Sequence, residues 1–209
     1  MNSKVTHINV GNLAENCWFL ANEDTKEAVV IDPGAEPDRI CEAAEKHGWK
    51  ITAILLTHGH IDHMGACESL RTELGVKVYA LTEEEDLLLD AKKNLSVFIE
   101  RKVVTFEPDE LLRDGQELTL AGMKIQVIHT PGHTPGGCSY YVADAGCVFS
   151  GDTLFAESVG RSDFPGGSTS ALVCAVKEKL FLLPDDTLVC PGHGEETTIS
   201  HEKKYNPFV

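Results

Sequence analysis

Four residues able to hold a metal fall within six positions in His58-Gly59-His60-Ile61-Asp62-His63, directly after the apolar run Ile51 to Leu56. An imidazole lone pair and a carboxylate both bind borderline divalent cations, so the cluster predicts a metal site with nitrogen and oxygen donors. Residues i and i+2 of an extended segment project to the same side, which directs His58 and His60 to one ion. Asp62 and His63, at a helix entrance, turn toward a second. Three further donors stand where apolar runs give way to Gly and Pro: Thr130-Pro131-Gly132-His133, Ser150-Gly151-Asp152 and Pro191-Gly192-His193. A side chain at a strand exit reaches a cleft while its backbone stays fixed. Seven donors exceed the needs of one ion, so two divalent metals are expected, zinc first, with iron or manganese as alternatives. Asp152 is the choice for a shared carboxylate that screens one cation from the other. His129 is assigned a structural role; His7, His47 and His201 are expected in solvent.

The elements that must position these groups follow from hydrophobic period and turn residues. Strands are expected at Asn16 to Ala21, Glu27 to Ile31, Ile51 to Leu56, Lys77 to Ala80, Lys124 to Ile128, Cys138 to Ala143, Gly146 to Ser150 and Thr187 to Cys190. Turn signals at Asn22-Glu23-Asp24-Thr25 and Ala143-Asp144-Ala145-Gly146 predict antiparallel hairpins. Helices are expected over Pro37 to His47, Asp62 to Leu74 and Ser168 to Leu182. In the last, Leu172, Ala175, Val176, Lys179 and Leu180 form one stripe. The acidic segment Thr82 to Arg101 reads as a surface helix or lid with a solvated face. Glu27 to Gly34 weakly echoes Gly146 to Asp152, which suggests two similar halves. The α/β (α+β) expectation is a four-layer αβ/βα sandwich, two sheets face to face with helices outside both.

Composition narrows the function. The 209 residues carry a formal charge of −15 and are 42% hydrophobic, enough apolar content for one domain over 1–209. Such an acidic chain lacks the basic surface that holds phosphate backbones, so no nucleic-acid partner is expected. With no apolar run of membrane length and no apolar leader after Met1, the expectation is a cytoplasmic protein without a membrane partner. Seven cysteines without a CxxC pair read as reduced, small core residues, including Val173-Cys174-Ala175.

His58-Gly59-His60-Ile61-Asp62-His63, followed by His133, Asp152 and His193, resembles the metallo-β-lactamase superfamily across nearly the whole chain. Thr130-Pro131-Gly132-His133-Thr134-Pro135-Gly136-Gly137, Gly151-Asp152-Thr153-Leu154-Phe155 and Pro191-Gly192-His193-Gly194 resemble its glyoxalase II (hydroxyacylglutathione hydrolase) branch, in the short form without a C-terminal helical glutathione-binding domain. The resemblance implies the metallo-β-lactamase fold, with His58, His60 and His133 at one metal, Asp62, His63 and His193 at the other, and Asp152 bridging. It also implies that Arg161 matches a basic residue that holds the thiol carrier.

The expected reaction is metal-dependent hydrolysis of a small-molecule acyl thioester such as hydroxyacylglutathione. A metal-bridging hydroxide would form because two cations bring the pKa of water from about 15.7 to near 7. Asp62 is the expected catalytic residue, orienting the nucleophile or accepting its proton. Since the chain as a whole repels anions, Arg161, and beyond it Lys203 and Lys204, would attract the substrate. A mononuclear-iron persulfide dioxygenase, which holds iron on residues matching His58, His133 and Asp152, and a lactone hydrolase are the alternatives.

Overall fold

The computed structural model describes residues 2–209. One six-stranded sheet takes its strands from the first half of the chain: β1 (Ser3–Val10), β2 (Glu15–Asn22), β3 (Glu27–Ile31), β4 (Lys50–Leu55), β5 (Lys77–Leu81) and β6 (Glu110–Leu112), side by side in that order. The second half builds β7 (Glu117–Leu120), β8 (Met123–His129), β9 (Cys138–Val142), β10 (Cys147–Gly151), the small ribbon β11 (Leu154–Phe155) and β12 (Ser158–Val159), then β13 (Leu188–Pro191) and β14 (Thr197–Thr198). Its six-stranded sheet runs β14-β13-β10-β9-β8-β7.

All eight residues of β2 are buried, because both faces of that strand are covered. Trp18 and Leu20 pack against Met123, Ile125, Val127, Tyr140 and Phe149 of the opposite sheet. Cys17, Phe19 and Ala21 point the other way, toward Ile40 and Ala44 of α1 (Pro37–His47) and Leu70 of α3 (Cys67–Leu74), which follows the short α2 (Ile61–Met64). Past α4 (Glu85–Leu88) and α5 (Ser96–Ile99), α6 (Thr169–Glu178) and α7 (Ile199–Tyr205) put Val176 and Ile199 over Val148 and Val189. Helix, sheet, sheet and helix thus form the four expected layers.

Both hairpins form, joining β2 to β3 and β9 to β10. The parallel pairs are β3 with β4, β4 with β5, β5 with β6 and β10 with β13. Ile31 lies opposite Leu55, and Gly151 opposite Pro191, so the exits of paired strands open on one edge. That edge carries the candidate site.

Several elements differ from expectation. The helix expected over Asp62 to Leu74 is two helices interrupted at Gly65-Ala66, where the Gly34 carbonyl approaches so closely that a Cβ on Gly65 would stand 2.3 Å from it. The segment Thr82 to Arg101 is a 3₁₀ turn, α4, a turn and α5 rather than one surface helix, and its Glu84 is buried. Helix α6 stops at Glu178, with a separate 3₁₀ turn at Leu180–Leu182. Strands β1, β6, β7, β11, β12 and β14 were not foreseen; several are short or lie at sheet edges, where a strong alternating pattern is not required. The seven cysteines are free, yet Cys174 is exposed on α6 instead of lying in the core. Among the described residues, no helix is long and apolar enough to cross a membrane.

Candidate metal centre

The turn from β4 into α2 carries His58, His60 and His63, all buried, with Asp62 beside them. His60 Nδ1 lies 3.1 Å from His58 Nε2 and 2.9 Å from His133 Nε2, so three ring nitrogens from two loops converge. Next to them, Asp62 Oδ2 is 3.3 Å from His193 Nε2 and 3.9 Å from His63 Nε2. Asp152 spans the two groups. Its Oδ2 lies 3.5 Å from His133 Nε2 and 3.9 Å from His193 Nε2, and its Oδ1 lies 3.4 Å from His63 Nε2. All seven residues singled out in the sequence therefore meet at one edge of the sandwich. Two donor triads, His58/His60/His133 and Asp62/His63/His193, each keep their donor atoms within 4.8 Å of one another.

Glycine makes the approach possible. Gly151 adopts φ +49° and sits where a Cβ would stand 2.2 Å from Thr57 Oγ1. At Gly192 a Cβ would come within 2.4 Å of Asp152 Oδ1 and 2.6 Å of His63 Cε1.

Hydrogen bonds behind the donors set their orientation. His133 Nδ1 donates to the Arg161 carbonyl at 2.6 Å, leaving Nε2 with its lone pair toward the cluster. His63 Nδ1 donates to Asp32 Oδ2 at 3.0 Å, and Asp32 Oδ1 accepts the Thr57 N–H at 2.7 Å. Asp32 was not foreseen as part of the site. It occupies the exit of β3 in a left-handed conformation, φ 53°, and with His58 and His63 makes a third potential donor group. Glu15 was missed too: its buried Oε1 stands 3.9 Å from His63 Nδ1. The third omission is Glu84. Its buried carboxylate accepts the Gly59 N–H through Oε1 and the Gly136 N–H through Oε2, each at 2.8 Å, and so ties the His58-His60 loop to the loop bearing His133.

Protonation suits a cation. Burial, reinforced by neighbouring imidazoles, holds His58 well below its ordinary pKa and brings His60 down to about 3, so both are neutral ligands at neutral pH. Burial alone would lower His63, but Asp152, Asp62 and Asp32 raise it to about 9. Burial would raise Asp62, but His63 and His193 hold it below the usual carboxylate range. Glu15 is pushed well up, by burial first and then by Asp32, Asp62 and Asp152. His63 Nε2 and Asp152 Oδ1 face each other with no hydrogen-bond partner, although buried polar atoms are rarely left so. Orphaned donors, neutral imidazoles and excess carboxylate together fit divalent metal ions.

A cavity of about 790 Å³ opens over the centre, lined by His60, Asp62, His133, Asp152 and His193 together with Arg161 and Lys92. The Arg161 guanidinium lies over the Phe164 ring at 4.0 Å and makes two bonds to Asp163, at 2.7 and 2.8 Å, which offset its charge. Lys203 pairs with Asp185 at 2.6 Å and Lys204 lies over Tyr205; neither lines the cavity. His129 points away, its Nε2 2.8 Å from the Pro135 carbonyl. His7 packs on Trp18 and His201 meets Glu157, and both are half-buried rather than fully in solvent, whereas His47 stacks on Trp49 and stays exposed as expected.

Known proteins resemble this chain over most of its length. Hydroxyacylglutathione hydrolase GloC of Haemophilus influenzae is 36% identical over 197 residues, covering 93% of this chain and 92% of that protein. Among solved structures, BLEG-1, a B3 metallo-beta-lactamase, has a TM-score of 0.93 at 38% identity, covering 98% of this chain and 99% of that one. TTHA1623 in a di-iron-bound form has a TM-score of 0.86 at 36% identity, covering 98% and 100%. The sequence model of the metallo-beta-lactamase superfamily matches residues 10–193, a span that contains every donor described above, and the chain accordingly belongs to that superfamily.

Proposed function

We propose that this chain is a metal-dependent hydrolase of small acyl thioesters, of which hydroxyacylglutathione is one. The position of Asp152, within 3.9 Å of donors from both triads, carries the reading, because a carboxylate so placed serves a pair of cations. His58, His60 and His133 would hold one ion and Asp62, His63 and His193 the other; the likeness to the di-iron form of TTHA1623 supports a pair. Bound there, two divalent ions would make water acidic enough to attack near neutrality and would polarise the substrate carbonyl.

The chain's own groups do the rest. Asp62, kept ionised by His63 and His193 and facing the cavity, orients the attacking water and accepts its proton. The water oxygen bonds to the carbonyl carbon, the C–S bond breaks, and the sulfur departs as a thiolate that needs no strong acid. Arg161, held on Phe164 at the cavity wall, contacts the thiol carrier. The Arg161 carbonyl keeps His133 oriented throughout. The likeness to GloC supports a thioester over other acyl bonds.

The test is metal analysis with a substrate panel on the purified protein: lactoylglutathione and other thioesters, a homoserine lactone, a β-lactam, and glutathione persulfide with oxygen monitored. Thioester cleavage with about two metals per chain is expected. Oxygen uptake on the persulfide with one iron would overturn the proposal, as would cleavage confined to the lactone or the β-lactam.

A further inference from the structure

The cavity over the metal centre is apolar on both flanks. Phe164 lies 5.4 and 6.2 Å, ring centre to ring centre, from His60 and His133, while Phe155 lies 6.3 Å from His193. Leu13, Leu95, Phe98 and Ile99 complete the wall. Three of these are unusually bare: Phe98 is 68% exposed, Leu13 50% and Ile99 38%. The cations offer little to a highly charged substrate, since Arg161 is paired with Asp163, and Lys92 is the lining cation without a salt bridge among the described residues. The rest of the molecule is strongly acidic, which adds to the disadvantage of a polyanion.

The wall also has a direction. A second cavity of about 260 Å³ shares Leu13, Asp62 and Ile99 with the first and continues past them between Val10, Ile61 and Val104, with the exposed Glu36, Glu100 and Lys102 also lining it. An arm leaving the reacting carbonyl on the Asp62 side would enter this passage. The wall that forms it is anchored: Asn94, buried in the α4–α5 turn, accepts the Ile61 N–H through its carbonyl at 2.9 Å and donates from Nδ2 to the Val104 carbonyl at 2.8 Å. Segment 94–104 is therefore tied to the helix that carries Asp62 and His63, and Phe98 and Ile99 are held in place. Preformed apolar surface beside reactive groups gains free energy from a substrate only if the substrate covers it with apolar area.

We propose that the preferred thioester carries an apolar acyl arm of medium length, an unbranched alkyl or aryl chain lying on Leu13, Phe98 and Ile99 and directed into the second cavity. This rests on the thioesterase reading and names the substrate class within it. The thiol side then needs only the contacts of the Arg161 flank.

The test is a series of acyl thioesters, acetyl through octanoyl, on one thiol, with a matched series in which the alkyl length is moved to the thiol. Alongside it, acetate and octanoate are titrated calorimetrically into metal-free protein. With the arm buried, kcat/KM should rise about threefold per methylene along the acyl series before levelling off, and should stay flat along the thiol series. Octanoate should bind metal-free protein at least tenfold more tightly than acetate. Phe98→Ser and Leu13→Ser, changes at exposed positions that the fold tolerates, should each cut the acyl slope and the octanoate preference by half or more. Leu182→Ser, on a remote exposed turn, should change neither. Thioesters cleaved without dependence on acyl length, or with dependence on thiol length alone, would overturn this inference and leave the hydrolase assignment standing. If no thioester is cleaved, that assignment falls, and the acid titration still decides the apolar site: equal binding of octanoate and acetate would refute it.

Discussion

Replacing Glu84 by Gln probes the junction between the two donor loops and has a calculable cost. The native carboxylate accepts two buried N–H groups, from Gly59 and Gly136. Gln keeps one acceptor oxygen but turns an NH₂ group toward the other N–H, and a buried donor left unsatisfied costs about 1–3 kcal/mol. A protonated carboxyl has no such defect, because its hydroxyl oxygen still accepts. Burial raises Glu84 from its ordinary 4.5 to about 7 in the folded chain, against the pull of its N–H partners. A carboxyl whose pKa is raised on folding adds stability below its unfolded value, roughly 3 kcal/mol here, and that stability is lost as pH climbs through 7. The wild type therefore loses this increment between about pH 4.5 and 7, while the Gln variant has none to lose. Urea unfolding of metal-free protein should place the variant about 1 M below wild type at pH 5, with the gap closing by pH 8. Subtracting one curve from the other removes the titrations that both proteins share. A gap independent of pH, or a variant equal to wild type at pH 5, would refute the reasoning.

Asp62→Ala should lose about half the bound metal and at least a hundredfold in kcat for thioester hydrolysis, whereas His129→Ala keeps both, as metal analysis and initial rates would show. Gly192→Ala forces a methyl to within 2.4 Å of Asp152 Oδ1; it should leave the circular dichroism spectrum unchanged while reducing metal content below that of the wild type. Stripping metal with a chelator removes the counter-charge for Glu15, Asp32, Asp62 and Asp152. At free metal about 1,000 times the dissociation constant the lost linkage is about 4 kcal/mol for each ion, or roughly 8–16 °C in Tm per ion by calorimetry. Restoring a divalent ion should reverse the shift.

Short-range patterns were the readable part. His58 to His63 needed only an extended segment and a helix entrance, and the parallel strand pairs bring their exits together from both halves. Asp32 escaped notice because Asp-Pro-Gly reads as a turn; yet it holds the place in Glu27 to Gly34 that Asp152 holds in the echoing stretch, a signal that was available. Glu84 lay hidden in an acidic run whose usual fate is solvent, and only contacts with residues 25 and 52 positions away reveal its role. The wall from Leu95 to Ile99 was equally opaque, since its anchoring depends on Asn94 reaching Ile61 and Val104. Strand β1 pairs with β2 along eight positions, but its half-exposed face blurred the alternation.

The seven donors are divided between the halves of the chain, four following β4 and three in the loops of the second sheet, with Trp18 Nε1 and Asn16 Nδ2 reaching across to the Pro191 carbonyl at 2.9 and 3.0 Å. Metal bound at this seam would act as a clasp, coupling the loading of the ions to the docking of the two leaves. A backbone nick in the turn at 113–116 would turn that clasp into a ligand-gated assembly, in which neither fragment alone retains a complete pair of sites and the ions govern how firmly the pieces rejoin.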